Sequence, residues 1–302
     1  MTTVQAPELD EAFEHCRLVA RAKARNFYYG MKLAPEPQRS ALYCIYAWMR
    51  RADDLVDHAG GGRERRRDDL AQFRAATDAA NAGEPVDDDP VWACLRHVVD
   101  RFGIDPGHFH AMIDGQLEDL DRPEYDTFEQ LHGYCYRVAS TVGLICITIW
   151  GYDDPAAEAL ATDRGIAFQL TNVIRDFRED YEMGRVYLPR EDFARHELTP
   201  RELRDWASPD AARRFVLAQV DRAESFYERS EALDDLIHAS CAPALWAMTA
   251  IYRGTLDKIR RDPSRIALER IALSPIQKST IAMRAKWRAM RARNGSGGVA
   301  AP

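Results

Sequence analysis

The sequence predicts an all-α protein of one domain. Apolar residues recur at three- and four-residue spacing over long segments, short Pro, Gly or Asp-rich breaks separate those segments, and no break is long enough to be a domain linker. A first helix over about 9–31 stops at Leu33-Ala-Pro-Glu-Pro37, because proline cannot donate to a helix or fit its interior. A second, about 36–58, runs into Gly60-Gly-Gly62, and a third, about 63–82, into Gly83-Glu-Pro85 and Asp87-Asp-Asp-Pro90. Asp105-Pro-Gly107 separates helices at about 90–102 and 107–120, and Arg122-Pro123 precedes one at about 127–150. Asp153-Asp-Pro155 opens a segment of about 155–182, Leu198-Thr-Pro200 follows it, and helices at about 208–236, 240–261 and 275–293 complete the chain. Residues 1–20 read as an N-terminal extension leading into the first helix, 21–293 as the domain, and 294–302 as a small, polar, flexible tail.

Composition narrows the function. The 302 residues are 46% hydrophobic and 29% charged, ample for one large core or two small ones, and the net charge of -7 argues against general nucleic-acid binding. Cys16, Cys44, Cys94, Cys135, Cys146 and Cys241 are scattered without a CxxC, which reads as reduced core residues rather than a zinc site or a disulfide framework. No signal-peptide run opens the chain and no uncharged apolar stretch approaches the length of a membrane span, so the expectation is a soluble cytoplasmic protein. Near the end, Ile276 to Arg293 mixes Lys278, Arg284, Lys286, Arg288, Arg291 and Arg293 with Ile281, Met283, Trp287 and Met290. The plain reading is a terminal helix with a solvated basic face; peripheral contact with the inner face of an anionic membrane is the alternative.

Chemistry concentrates in two acidic patterns, Asp53-Asp54-Leu-Val-Asp57 and Asp176-Phe-Arg-Glu179-Asp180. In a helix, carboxylates four residues apart project within roughly 40° of each other, so each pattern presents a pair to one side. Such a pair is unfavourable in a cleft unless a cation compensates it, and hard cations such as Mg2+ take oxygen ligands while leaving room for substrate phosphates. Tyr46, Arg50, Asp53 and Asp57 share an arc of roughly 60°, and Gln169, Asn172, Asp176 and Asp180 one of roughly 80°. Two polar stripes facing each other across a cavity follow from this. The alternative is an exposed acidic face paired at helical spacing with Arg50, Arg51, Arg175 and Arg178. On the facing-stripe reading, removing Asp53 or Asp176 should relieve like-charge strain and leave stability near or above that of the wild type.

Four blocks give the chain a resemblance to the squalene/phytoene synthase family of head-to-head prenyl synthases. They are Asn26-Phe-Tyr-Tyr-Gly-Met31, Ala41 through Asp57, Tyr134-Cys-Tyr-Arg-Val-Ala-Ser-Thr-Val-Gly143, and Gly165 through Asp180 continuing to Gly184-Arg185-Val-Tyr187-Leu-Pro189. The resemblance implies an isoprenoid-synthase helical bundle around a central apolar cavity. Carried over by position, it implies that Asp53, Asp57, Asn172, Asp176 and Asp180 hold two or three Mg2+ ions bridging the diphosphates of prenyl diphosphate substrates, with Gln169 lining the same site. It places Arg50 and Arg175 on phosphate oxygens and Arg185 and Tyr187 in a flap after the second motif. Phe27, Tyr28, Tyr46, Tyr134 and Tyr252 are its aromatic candidates; Phe27, Tyr46 and Tyr134 could stabilise cations through their faces. Tyr46, Tyr134 and Tyr252 also read as core aromatics with hydrogen-bonded hydroxyls. Asp119 and Arg270 are weaker matches, to a cavity-mouth aspartate and a late phosphate-binding arginine.

The implied reaction joins two prenyl diphosphates. Two farnesyl diphosphates giving presqualene diphosphate or squalene is the leading expectation, and phytoene from two geranylgeranyl diphosphates the alternative. No Gly-rich nicotinamide fingerprint accompanies the chain, so NADPH use has no support in the sequence, and no segment resembles the C-terminal membrane anchor of eukaryotic squalene synthases. Contact with downstream isoprenoid enzymes is compatible with that role. From a different class, the helices could form a scaffold that kept the fold and lost turnover, against which stands the presence of all four aspartates. A carboxylate-bridged dimetal bundle lacks its usual Glu-x-x-His pairs.

Overall fold

The computed structural model describes residues 6–24, 26–57, 62–121 and 124–295. Its helices are α1 (Ala6–Lys23), α2 (Phe27–Met31), α3 (Gln38–Asp57), α4 (Arg63–Asn81), α5 (Pro90–Phe102), α6 (Pro106–Asp121) and α7 (Phe128–Cys135). A π-helical turn, Tyr136–Ser140, then leads directly into α8 (Thr141–Trp150). There follow α9 (Ala156–Arg175), α10 (Phe177–Glu182), α11 (Arg190–Arg195), α12 (Pro200–Asp205), α13 (Pro209–Arg229), α14 (Leu233–Leu236), α15 (Ala242–Arg261), α16 (Arg265–Leu268) and α17 (Pro275–Gly295). Among the described residues no strand forms. Two isolated backbone bridges occur, Glu124 with Val186 and Tyr152 with Ile237.

Local chemistry sets most of these ends. Asp89 accepts from the Val91 N–H to cap α5, with Pro90 at the first helical position where its missing N–H costs nothing. Thr199 and Glu202 form a reciprocal capping box on α12. Three expected helices are interrupted. The one expected over 9–31 stops at Lys23 and restarts at Phe27; the one over 155–182 opens at Asp176; the one over 208–236 ends at Arg229. The segments α11, α12 and α16 are too short for their periodicity to register in the sequence. The expected tail overlaps α17 at its first two positions, and 296–302 lie outside the described residues.

Two large apolar clusters make the core. One gathers α1, α3 and α5 with α8; the other gathers α9, α13 and α15. Phe27 and Phe168 pack against both, and the main cavity lies along this seam, drawing its walls from each cluster. The π turn packs against both α6 and α9. A Cβ on Gly165 would come 2.5 Å from the Ser140 Cα, so only glycine lets α9 lie against the turn. The two acidic helices are thereby brought to one chamber.

Candidate active site

The cavity encloses about 750 Å3, and its polar end is built by three elements. Helix α3 supplies Tyr46, Arg50 and Asp53; α9 supplies Gln169, Asn172 and Arg175; the chain beyond supplies Asp176, Asp180, Arg185 and Tyr187. Phe27, Asp119, Tyr134, Tyr252 and Arg270 also line it, so fifteen of the expected side chains, these five with the ten just named, share one chamber. Tyr28 does not. It faces a second, shallower cleft, stacked on Tyr43 at 5.9 Å between ring centres, because α2 is a separate short helix that turns only Phe27 and Met31 inward. The side chain of Asp57 lies outside the described residues.

Carboxylates and guanidiniums are already matched. Arg50 pairs with Asp54 one turn on, so the paired-face alternative holds for Asp54, while Asp53 turns inward and accepts from Gln116 Nε2 at 2.8 Å. Arg50 Nε is buried and donates to nothing among the described residues. Asp176 receives Arg175 Nε at 2.8 Å and Arg270 Nε at 2.9 Å. Adjacent residues on a regular helix do not face each other. The Arg175–Asp176 pair forms because the helix opens at Asp176, whose φ and ψ are -97° and 5°. The expected strain relief at Asp176 is therefore corrected: its carboxylate is neutralised by two cations rather than repelled by its neighbour.

Asp180 is the carboxylate without such relief. Burial, then the nearby Asp176, push its pKa up to about 7, with Arg185 only partly opposing them. Burial likewise raises Tyr46 and, to about 12, Tyr252, so both remain neutral hydroxyls. After α10, Gly184 takes φ of 81°, a left-handed turn that glycine adopts without strain, and the chain folds back over the site. Tyr187 donates to Asp119 Oδ1 at 2.5 Å and Arg185 lies 3.6 Å from Asp119 Oδ2, so Asp119 anchors the flap. Below the polar end, Phe27, Phe168 and Tyr252 form an aromatic cluster with ring centres 4.6–6.2 Å apart.

Several lining residues escaped the sequence reading. Gln116 stands one turn before Asp119 on α6, a spacing that was legible. Phe168 lies in the Gly165-Ile-Ala-Phe168 run of the quoted block, but nothing marked it as wall rather than core. Arg164 is 3% exposed and lines the apolar region, its guanidinium held by the Ser230 hydroxyl and carbonyl and by Thr249.

An oxygen-only donor set of Asp53, Asn172, Asp176 and Asp180 suits a hard cation. Asn172 Oδ1 is buried and accepts no hydrogen bond among the described residues, and a cation would draw the Asp180 carboxyl back into its charged form. No three carboxylates converge on one point among the described residues. The residues present thus fit a metal arriving with a polyanion better than a bare ion.

The squalene/phytoene synthase family pattern matches residues 20–277. This chain belongs to that family. As a squalene/phytoene synthase it is a prenyltransferase of the head-to-head type, in a family that uses divalent metal with diphosphate substrates. It is 38% identical over 272 residues to the 15-cis-phytoene synthase of Synechococcus elongatus, covering 84% of this chain and 85% of that one. It is 34% identical to the phytoene synthase of Mycobacterium bovis, covering 91% and 90%. Among solved structures, a dehydrosqualene synthase superimposes with TM-score 0.82 at 29% identity, covering 94% of this chain and 99% of that one. The squalene synthase HpnC of Alicyclobacillus acidocaldarius gives 0.78 at 28%, covering 85% and 96%.

Proposed function

We propose that this enzyme condenses two geranylgeranyl diphosphates head to head and releases a linear hydrocarbon by proton loss. One observation carries the condensation: acidic helix faces from opposite halves of the chain meet across a single apolar chamber whose lining arginines and aromatic cluster suit a diphosphate head and a carbocation. The chain length is drawn from the relatives, which are named phytoene synthases at 34% and 38% identity.

Asp53, Asn172, Asp176 and Asp180 would hold Mg2+, which supplies charge neutralisation of the diphosphates and so eases departure of the leaving group. Arg50, Arg175, Arg185 and Arg270 would grip phosphate oxygens with planar forks. Ionisation breaks the C1–O bond of one substrate and the diphosphate leaves with the electron pair. The C2–C3 double bond of the second substrate then bonds to the freed carbon. Loss of a proton closes a cyclopropane ring that keeps the second diphosphate; its ionisation, rearrangement and a final proton loss give the linear product. The protein side chains need only shield, orient and stabilise. Phe27, Phe168 and Tyr252 offer ring faces worth roughly 1–2 kcal/mol each to a desolvated cation. Neutral Tyr46 and Tyr134 hydroxyls are poor bases, so released diphosphate is the proton acceptor.

A farnesyl reading is favoured by the structural likeness to a dehydrosqualene synthase at TM-score 0.82. Incubation with Mg2+ and each diphosphate in turn, with and without NADPH, followed by mass spectrometry of the extracted lipids, separates the readings. A forty-carbon product independent of NADPH is expected; a thirty-carbon product would install the farnesyl reading, and no product from either would leave a scaffold.

A further inference from the structure

Helix α17 packs on α15 and α2 through a narrow face of small side chains, with Ala285 fully buried and Ile281, Ala282 and Ala289 half-buried beside it. The opposite face is apolar and exposed. Ile276, Met283, Trp287 and Met290 are 78%, 64%, 49% and 56% exposed, and their spacing places them within an arc of roughly 60°. Large apolar side chains aligned on a solvated helix face mark an interaction surface.

Charge identifies the partner. Residues 275–295 contain Lys278, Arg284, Lys286, Arg288, Arg291 and Arg293 and no Asp or Glu, in a chain whose acids outnumber its lysines and arginines 48 to 41. Arg284 and Lys286 flank the apolar stripe on either side at roughly 80° from its centre. A second copy would bring like charges together along this face. An apolar stripe between cationic shoulders matches a bilayer whose surface is anionic and whose interior is hydrocarbon. The segment entering the helix also belongs to the cavity wall, through Arg270, Ile271 and Ala272, and Lys278 in its first turn lines the same chamber.

We infer that α17 docks on an anionic lipid bilayer through this apolar stripe. The inference is independent of which prenyl chain the enzyme takes. Its test is co-sedimentation of the full chain with vesicles of phosphatidylcholine alone or mixed with phosphatidylglycerol, at low and high salt. Wild type should pellet with the mixed vesicles at low salt and be released as salt rises. Met283→Ser/Trp287→Ser should abolish pelleting, and Arg284→Gln and Lys286→Gln should each weaken binding by about fivefold. Melting temperature and turnover on detergent-dispersed substrate should match wild type, and Ile276→Ser/Met290→Ser replaces the first pair if that pair misfolds. Failure of wild type to pellet, undiminished pelleting of the variants, or equal pelleting on pure phosphatidylcholine overturns the inference. So does a wild-type dimer in sedimentation equilibrium that the apolar variants dissolve without vesicle binding, which would make the face a contact between copies.

Discussion

Asp180 and Asp176 carry the same charge in the same motif and yet behave oppositely. Folded Asp180 keeps its proton up to about pH 7, whereas an unfolded aspartate releases it near 4. Between those values the folded state binds more protons, so stability falls as pH rises through the window. Asp180→Asn should remove that slope, gaining on the order of 4 kcal/mol over wild type above pH 7 in the metal-free protein, read from denaturant melts across pH. Identical pH slopes would disprove the shift. Asp176 lies between Arg175, nine-tenths buried, and Arg270, so Asp176→Ala strands a buried guanidinium and should cost roughly 3 kcal/mol. Both substitutions, like Asp53→Ala, should abolish product formation. Which aspartate was paired could not be read from spacing, since the second cation comes from a residue 94 positions away.

At the scale of elements, the π turn and the glycines around it set the seam. Gly165→Ala forces a methyl into the Ser140 backbone, an overpacking change expected to cost about 1–3 kcal/mol and to lower turnover by shifting α9 relative to α3. A variant as stable and as active as wild type would show that the contact yields freely. Further along, Asp192 on α11 is buried. Burial opposes its ionisation, but hydrogen bonds from Arg222 and Gln219 and the charge of Arg195 outweigh it and hold its pKa below the usual value. Its contribution to stability is present above pH 4 and should be lost as pH falls below that, so acid melts of Asp192→Asn should show a shallower loss than wild type. The long helices were legible because 3.6-residue periodicity is a local property. Their interruptions, where α1 ends at Lys23 and α2 begins at Phe27 and where α9 gives way to α10 at Asp176, were not, because no local pattern in the sequence marks them.

For the molecule as a whole, the separated acidic walls predict a linked binding equilibrium. Inorganic diphosphate and Mg2+ together should raise the melting temperature, by the equivalent of about 2.7 kcal/mol at a hundredfold excess over the dissociation constant, and either alone should do far less. A full shift from Mg2+ alone would mean a preformed ion site, contrary to the lack of converging carboxylates among the described residues. Among those residues no helix is long and apolar enough to cross a membrane.

Helical class, the two acidic stripes and the family resemblance were already written in the order of the residues, because periodicity and short motifs depend only on neighbours along the chain. Everything that sets the stripes to work came from packing: the chamber on the seam between two cores, the opening of the helix at Asp176, the flap tied to Asp119, the exclusion of Tyr28 and the outward face of α17. Those features arise from contacts between residues far apart in sequence. Burial, charge pairing and exposure are properties of such contacts, and linear spacing does not contain them.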